Sequence, residues 1–395
     1  MTALVLQMPY LKAIRQGGLD RQLMVAVAVL LSIGLVMISS ASVSFADHSY
    51  GDAFYFLKRH MMFLVISAVA AFVVVNMPSR FWYRHGFLLL LATLLLLVAV
   101  LIPGVGREVN GSQRWIPLGP FNLQVSEVAK LVMILFVAGY LERHQRQMRQ
   151  QWQGFAKPVG VLVVVALLLL VQPDFGSAVV MTCTVLGMLF VAGVRLWQFS
   201  LLMLSGVAAL VGIAVLSPYR VQRLVTFLDP WADQFNGGYQ LTQSLIAYGR
   251  GEWLGVGIGN SVQKLFYLPE AHTDFVFSIF AEEFGLVGVI TVVALFSWMV
   301  GRILLIAKKA VRREDWFAAY SCFGVAILLA GQAFINIGVT SGLLPTKGLT
   351  LPFISYGGSS LVVCCVMVAL TLRIGSEMDD VAAVAKQVRR DRAEL

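Results

Sequence analysis

Charge is scarce in this chain. Of 395 residues only 13% are Asp, Glu, Lys or Arg, against 58% that are hydrophobic, and the mean hydropathy is +0.80. That balance excludes an ordinary soluble domain and indicates a chain that crosses a membrane repeatedly. Cysteine is nearly as scarce. Cys183, Cys322, Cys364 and Cys365 all fall in apolar runs, form no metal-ligand spacing and suggest no disulfide framework; they read as small core hydrophobes. No GxxxxGK[ST] motif occurs, which argues against an ATP-driven pump. Gly255, Gly257 and Gly259 in WLGVGIGN follow no expected strand, so they read as bends where the chain re-enters the membrane rather than as a nucleotide loop. A cleavable signal peptide is not expected either. The first apolar run starts near Leu23 and is too long for that purpose.

What is there is a series of helix-length apolar runs. A span needs about 20 residues, and ten are expected: 22–41, 60–77, 83–102, 125–140, 158–172, 175–193, 197–217, 275–300, 316–340 and 357–374. The expected fold is an all-α polytopic membrane protein. Residues 1–21 form an N-terminal segment, 22–374 the membrane domain and 375–395 a charged tail. Gln172-Pro173-Asp174-Phe175-Gly176 is the only break between the fifth and sixth spans, so these form a tight hairpin. Most of the 30 basic residues, among them Arg143, Arg146, Arg149, Lys308, Lys309, Arg312 and Arg313, fall on one side. By the bias of Lys and Arg toward the cytoplasm, both termini are then inside and the long loop 218–274 is extracellular. The net charge of +9 reflects this bias. Its scatter over many loops speaks against nucleic-acid binding.

Ionisable residues inside spans cost about 2.5–3.5 kcal/mol each on insertion scales and so need a reason. Glu127 and Lys130 sit three apart, on one face of a helix. They read as an internal ion pair, or as a Lys130 that holds an anionic headgroup. In YLPEAHTDFVFSIFAEEFG, residues 267–285, Asp274 stands where the polar loop meets an apolar span. The residues alone leave two roles open: a helix cap together with Thr273, or a base in contact with both water and lipid. Glu282 and Glu283 read as structural, pairing with buried donors. LLPTKGLTLPFISYGGSS, residues 343–360, is rich in Pro, Gly and hydroxyls, with Lys347 its only charge. It reads as a re-entrant turn or a phosphate cradle. Arg114 beside Trp115 is an interfacial anchor or a fork for a pyrophosphate. A helix near 238–250 is expected to lie on the membrane surface through Leu241, Leu245, Ile246 and Tyr248.

NGSQRWIPLGPFNLQVSEVAKL, YLPEAHTDFVFSIFAEEFG and LLPTKGLTLPFISYGGSS, in this order within a ten-span frame, resemble the signature regions of the SEDS family (shape, elongation, division and sporulation). The PTKG form, with Lys347, is similar to that of its division branch. Val125 departs from the family, which usually carries Pro there; the change removes a helix-start constraint and no chemistry. The resemblance implies a peptidoglycan glycosyltransferase that joins lipid II disaccharides outside the bacterial cytoplasmic membrane, at the division septum. Undecaprenyl pyrophosphate would be the leaving group and Asp274 the catalytic carboxylate. The candidate substrate-binding residues are Lys347, Arg114, Lys130, Glu127, His272, Thr273, Glu270, Ser355 and Ser359. A divalent cation, Mg or Mn, is a possible cofactor. The family also implies a class B penicillin-binding protein and other division proteins as partners. Two rival readings, a lipid II flippase and a noncatalytic scaffold, have little use for a base at the outer surface.

Overall fold

The computed structural model describes residues 18–109, 111–119, 121–195, 197–201, 226–345 and 348–393, with Leu204, Gly206 and Gly212 besides. The helices are α1 (Arg21–Tyr50), α2 (Tyr55–Asn76), α3 (Ser79–Ala99), α4 (Val125–Arg143), the short α5 (Gln145–Gln150), α6 (Trp152–Val171), α7 (Phe175–Val191), α8 (Tyr239–Gly251), α9 (Val276–Val311), α10 (Trp316–Thr340) and α11 (Gly358–Ala393). Seven of them, α1, α2, α3, α6, α9, α10 and α11, are long and apolar enough to cross a membrane. The apolar α7 has 17 residues. Most of the run at 197–217 lies outside the described residues.

The helices are uniformly apolar because lipid surrounds the bundle. Phe72, Leu95 and Leu167 project from α2, α3 and α6 with more than half of their surface open. The centre belongs to α4, in which every residue except Val128, Glu142 and Arg143 is buried. It packs on α3, α10, α7 and α11. Its charges keep it out of the purely apolar set, yet its 19 residues rise about 28 Å.

Four features differ from the sequence-based expectation. First, the fold is not purely helical. β1 (Arg107–Val109), β2 (Ser112–Leu118) and β3 (Phe121–Gln124) form an antiparallel meander between α3 and α4. Trp115 pairs with Gln124 and Ile116 with Leu123. The alternation in SQRWIPL is too short to stand out among long apolar runs. Second, α9 contains a break. Gly285 adopts φ 64, ψ −166, and a Cβ there would strike the Gly255 amide. The turn at 252–257 satisfies the interrupted helix. Val256 and Gly257 amides donate to the Glu282 and Glu283 carbonyls (3.0 and 3.1 Å), and the Leu286 and Val287 amides donate to Glu252 and Trp253 (2.9 and 3.1 Å). The glycine run thus serves as a clasp across a helix break.

Third, α8 packs into the bundle through one face. Leu241, Ser244, Ala247 and Gly251 are buried against α9 and α10. Ser244 Oγ lies 2.6 Å from Ser278 Oγ and donates to the Thr340 carbonyl (2.5 Å). Small residues let the backbones approach, and the hydroxyls then bond across the gap. Fourth, α11 does not stop at residue 374. It runs on as one helix, and Glu377 accepts from the Ser79 amide and hydroxyl (3.1 and 2.5 Å) at the start of α3.

Candidate functional site

Five segments meet at one end of the bundle: the start of α4, the α6–α7 turn, the turn 270–275 ahead of α9, the last turns of α10, and the loop 348–357. Asp274 occupies their junction. It does not cap a helix: the N-cap of α9 is Phe275, which makes no side-chain cap bond. Among the described residues, nothing forms a hydrogen bond or ion pair with the Asp274 carboxylate. Burial, followed by the negative charge of Glu270, pushes its pKa up to about 7; Arg114 pulls it down and Asp174 adds to the rise. A carboxylate so poised is a proton acceptor at neutral pH.

The backbone at this residue is fixed from two sides. Asn336 Nδ2, on α10, donates to the carbonyls of Asp274 (2.9 Å) and Leu349 (2.5 Å). The Tyr356 amide donates to the His272 carbonyl (3.0 Å). Gly348 approaches so closely that a Cβ there would lie 2.9 Å from Asp274 Oδ2. Lys347, the preceding residue, lies outside the described residues. Thr273 Oγ1 donates to Glu270 Oε2 (2.6 Å) and to the Glu270 carbonyl (3.2 Å), closing the turn. His272 is buried in an aromatic nest, its ring centroid 4.4 Å from that of Phe56. Burial lowers its pKa, against the pull of Glu270.

On the other flank stands Arg114, in β2. Its guanidinium pairs with Asp174 (3.4 Å) and lies 4.4 Å from the Trp115 ring centre. Asp174 is buried at the α6–α7 turn. It caps α7 by accepting from the Ser177 amide (3.2 Å) and also accepts from Gln124 Nε2 (3.5 Å). Arg114 is only partly exposed and thus presents a positioned cation beside Asp274. Deeper in the bundle, Lys130 Nζ is fully buried. It donates to Glu127 Oε1 (2.8 Å) and to Gln332 Oε1 (3.1 Å). Gln332 Nε2 in turn donates to the Thr350 carbonyl (3.0 Å). The Glu127–Lys130 pair thereby ties α4 through α10 to the loop that flanks Asp274. The hydroxyls of Ser355 and Ser359 serve backbone: Ser355 accepts from the Leu351 amide (2.8 Å), while Ser359 accepts from the Gln124 amide (2.9 Å) and donates to the Asn122 carbonyl (3.1 Å).

Four participants escaped the reading of the sequence. Asp174 was visible only as a hairpin break, because its role depends on Arg114 arriving from a strand sixty positions earlier. Gln124 sat inside a motif without a role of its own. Gln332 and Asn336 carried a usable signal: two amides four apart in an apolar span lie on one helix face and need partners. The described residues hold no group of three or more His, Cys, Asp or Glu side chains arranged for a metal.

Seven helices long and apolar enough to cross a membrane, around a central helix that carries a buried ion pair, define a polytopic membrane protein with a buried polar cluster at one end of its bundle. Residues 21–379 match the family model of the FtsW, RodA and SpoVE cell cycle proteins. The chain belongs to that family. It is 52% identical to the probable peptidoglycan glycosyltransferase FtsW of Saccharophagus degradans, over 91% of this chain and 93% of that one. It is 54% identical to the protein of the same name from Hahella chejuensis, over 91% and 90%. Among solved structures it resembles a chain from work titled "Structural coordination of polymerization and crosslinking by a peptidoglycan synthase complex", with TM-score 0.75, 33% identity and 91% and 98% coverage. The crystal structure of the Thermus thermophilus rod shape determining protein RodA is similar at TM-score 0.67 and 29% identity, covering 91% of this chain and 97% of that one.

Proposed function

We propose that this protein is a peptidoglycan glycosyltransferase that polymerises lipid II during cell division, with Asp274 as the general base. The observation that carries the reading is the carboxylate itself: half-buried, unpaired among the described residues and poised near pH 7. The acceptor sugar hydroxyl gives its proton to Asp274 as its oxygen bonds to the anomeric carbon of the donor. The bond from that carbon to the phosphate oxygen breaks, and undecaprenyl pyrophosphate leaves with the electron pair. Arg114, held by Asp174, and Lys347, next to the close-approaching Gly348, supply positive charge for the leaving diphosphate. Energy comes from the donor, and no nucleotide is needed.

For a divalent cation, Mg or Mn, the described residues around the site offer one uncommitted carboxylate, Asp274. Asp174 is committed to Arg114, Gln124 and Ser177, and Glu270 to Thr273. Such a donor set suits an ion that arrives on the diphosphate, and the steps above are written without one. His272, Thr273, Glu270, Ser355 and Ser359 shape the walls around Asp274, and Glu127 and Lys130 brace them from beneath. The partner we propose is a class B penicillin-binding protein, joined by other division proteins at the septum of the cytoplasmic membrane, with the site end facing outward. The relative solved in a peptidoglycan synthase complex supports it. The alternative of a flippase would use the Glu127–Lys130 pair as part of a path. Its burial, with Lys130 at 0% and Glu127 at 4% exposure, favours a brace. Polymerisation of purified lipid II by the protein with its partner, compared with the Asp274→Ala form, tests the proposal. Equal glycan synthesis by both forms would refute it.

A further inference from the structure

The turn carrying Asp274 has two unlike flanks. One is charged, with Arg114 and Asp174. The other is aromatic. His272 packs between Phe45 of α1 (centroids 5.3 Å apart) and Phe56 of α2 (4.4 Å). From this anchor a row of rings runs outward. Phe45 meets Phe266 at 6.5 Å, and Tyr50 stacks on Tyr55 at 4.0 Å with planes 7° apart. Phe45, Tyr50 and Phe266 are 39%, 53% and 55% exposed, so three ring faces stay open beside a reaction site.

Two observations separate this ledge from ordinary lipid-facing surface. The first is height. α1 has 30 residues, about 45 Å, against a hydrocarbon core of about 30 Å. Its apolar run ends near residue 41, and the ledge sits on the polar extension that follows, SVSFADHSY, where Asp47 and His48 are exposed. Asp52 and Lys58, an exposed ion pair at 2.7 Å, stand at the same level. The second is the backbone of Phe266, at φ 66. A bulky residue in the left-handed region is strained and persists where the surroundings impose it. Here the ring lies against His48 (5.3 Å, edge-on), open on its far side, although burial would be its ordinary fate.

We propose that this ledge is a saccharide-binding track that holds the glycan strand on the side of Asp274 opposite the diphosphate. The inference rests on the polymerase reading above. A pyranose presents a face of axial C–H groups with partial positive charge, which meets the negative face of an aromatic ring, while its hydroxyls stay in water. Open rings interleaved with polar residues above the hydrocarbon layer suit that ligand, and an acyl or prenyl tail would be drawn lower. A strand held there stays near the base between couplings, so the track sets product length.

The experiment uses the full chain together with its proposed class B penicillin-binding partner in lipid nanodiscs, with the variants Tyr50→Leu, Phe266→Leu and Phe266→Trp. Leucine keeps the apolar character and removes the ring face. Saturation-transfer NMR with chitotetraose reports saccharide binding, and gel analysis reports glycan length at matched lipid II consumption. We expect both leucine variants to lose the transfer signal and to shorten the products at least threefold, with Phe266→Trp retaining both properties. Leucine variants with wild-type transfer and wild-type lengths would overturn the proposal and mark the surface as a lipid contact. Should wild type bind chitotetraose through these rings but build no glycan from lipid II, the polymerase reading fails while the track stands.

Discussion

Asp274 and Glu282 lie eight residues apart, in and just after one turn, and both are acids in low-dielectric surroundings. Glu282 is buried among donors: Ser261 Oγ (2.5 Å), the Val262 and Gln263 amides (3.1 and 3.3 Å) and Arg250 (3.1 Å). Its neighbour Glu283 accepts from Ser40 (2.6 Å) and Lys264 (2.9 Å). Together they hold the clasp 252–264 onto the broken helix. Asp274 has no such donors among the described residues and has Glu270 and Asp174 nearby instead. A carboxylate supplied with donors fixes a structure, whereas one denied donors keeps its affinity for a proton. That difference separates the brace from the proposed base.

The sharpest way to break the comparison is to exchange the outcomes. Asp274→Asn keeps the shape and removes basicity. We expect polymerisation to fall by about 10²–10⁴-fold, the range of general base catalysis, with the protein still folded; near wild-type glycan synthesis would reduce Asp274 to scaffolding. Glu282→Ala should do the reverse. Leaving the buried Ser261 hydroxyl and the Val262 and Gln263 amides without their acceptor costs about 1–3 kcal/mol for each unsatisfied donor, seen as lower yield and melting temperature, with activity per folded molecule largely kept. Glu127→Ala and Lys130→Ala belong with Glu282. Each should destabilise by a similar amount, and the double variant should recover part of the loss, as a double-mutant cycle would reveal.

A smaller effect concerns pH. The folded pKa of Asp274, about 7, lies above its ordinary value of 3.8. The folded state therefore binds this proton more tightly, so the group favours folding at low pH and loses that contribution as pH rises from about 4 through 7. Asp274→Asn should accordingly gain more in melting temperature over wild type at pH 8 than at pH 5. Activity should run the other way, rising through about pH 7 as the base ionises. Glu270→Gln should move that limb to lower pH and Arg114→Gln to higher pH, read from kcat/KM profiles. Arg114→Gln should also weaken lipid II use about tenfold, the scale of one charge-assisted contact. Profiles that do not move would mean that the limb belongs to another group.

The helices could be read from the sequence because lipid imposes a requirement on each segment separately: enough consecutive apolar residues to span it, with backbone groups satisfied internally. That requirement is local, and it exposed α1, α2, α9, α10 and the hairpin of α6 and α7. It also exposed Glu127 and Lys130, whose spacing on one face foretold the pair at 2.8 Å. The meander, the surface taken by α8 and the break at Gly285 were hidden, because each depends on partners distant in the chain. Leu241 and Ile246 gave α8 an apolar stripe, but the stripe did not say whether lipid or α9 would cover it.

For the site, the sequence by itself determined which side chains were out of place: a carboxylate at the foot of a span, a Glu–Lys pair within one, and a lone lysine in a loop of Gly, Pro and hydroxyls. An ionisable group in an apolar context needs a reason wherever the chain folds. Only the tertiary structure decided which partners the two acids and the pair received. It brought Ser261, Arg250 and two amides to Glu282 and, among the described residues, none to the Asp274 carboxylate. It delivered Arg114 to Asp174 across sixty positions and set Asn336 against the Asp274 carbonyl. Ionisation and hydrogen bonding depend on distances of a few ångströms between segments far apart in the chain, and those distances exist only once the bundle is assembled.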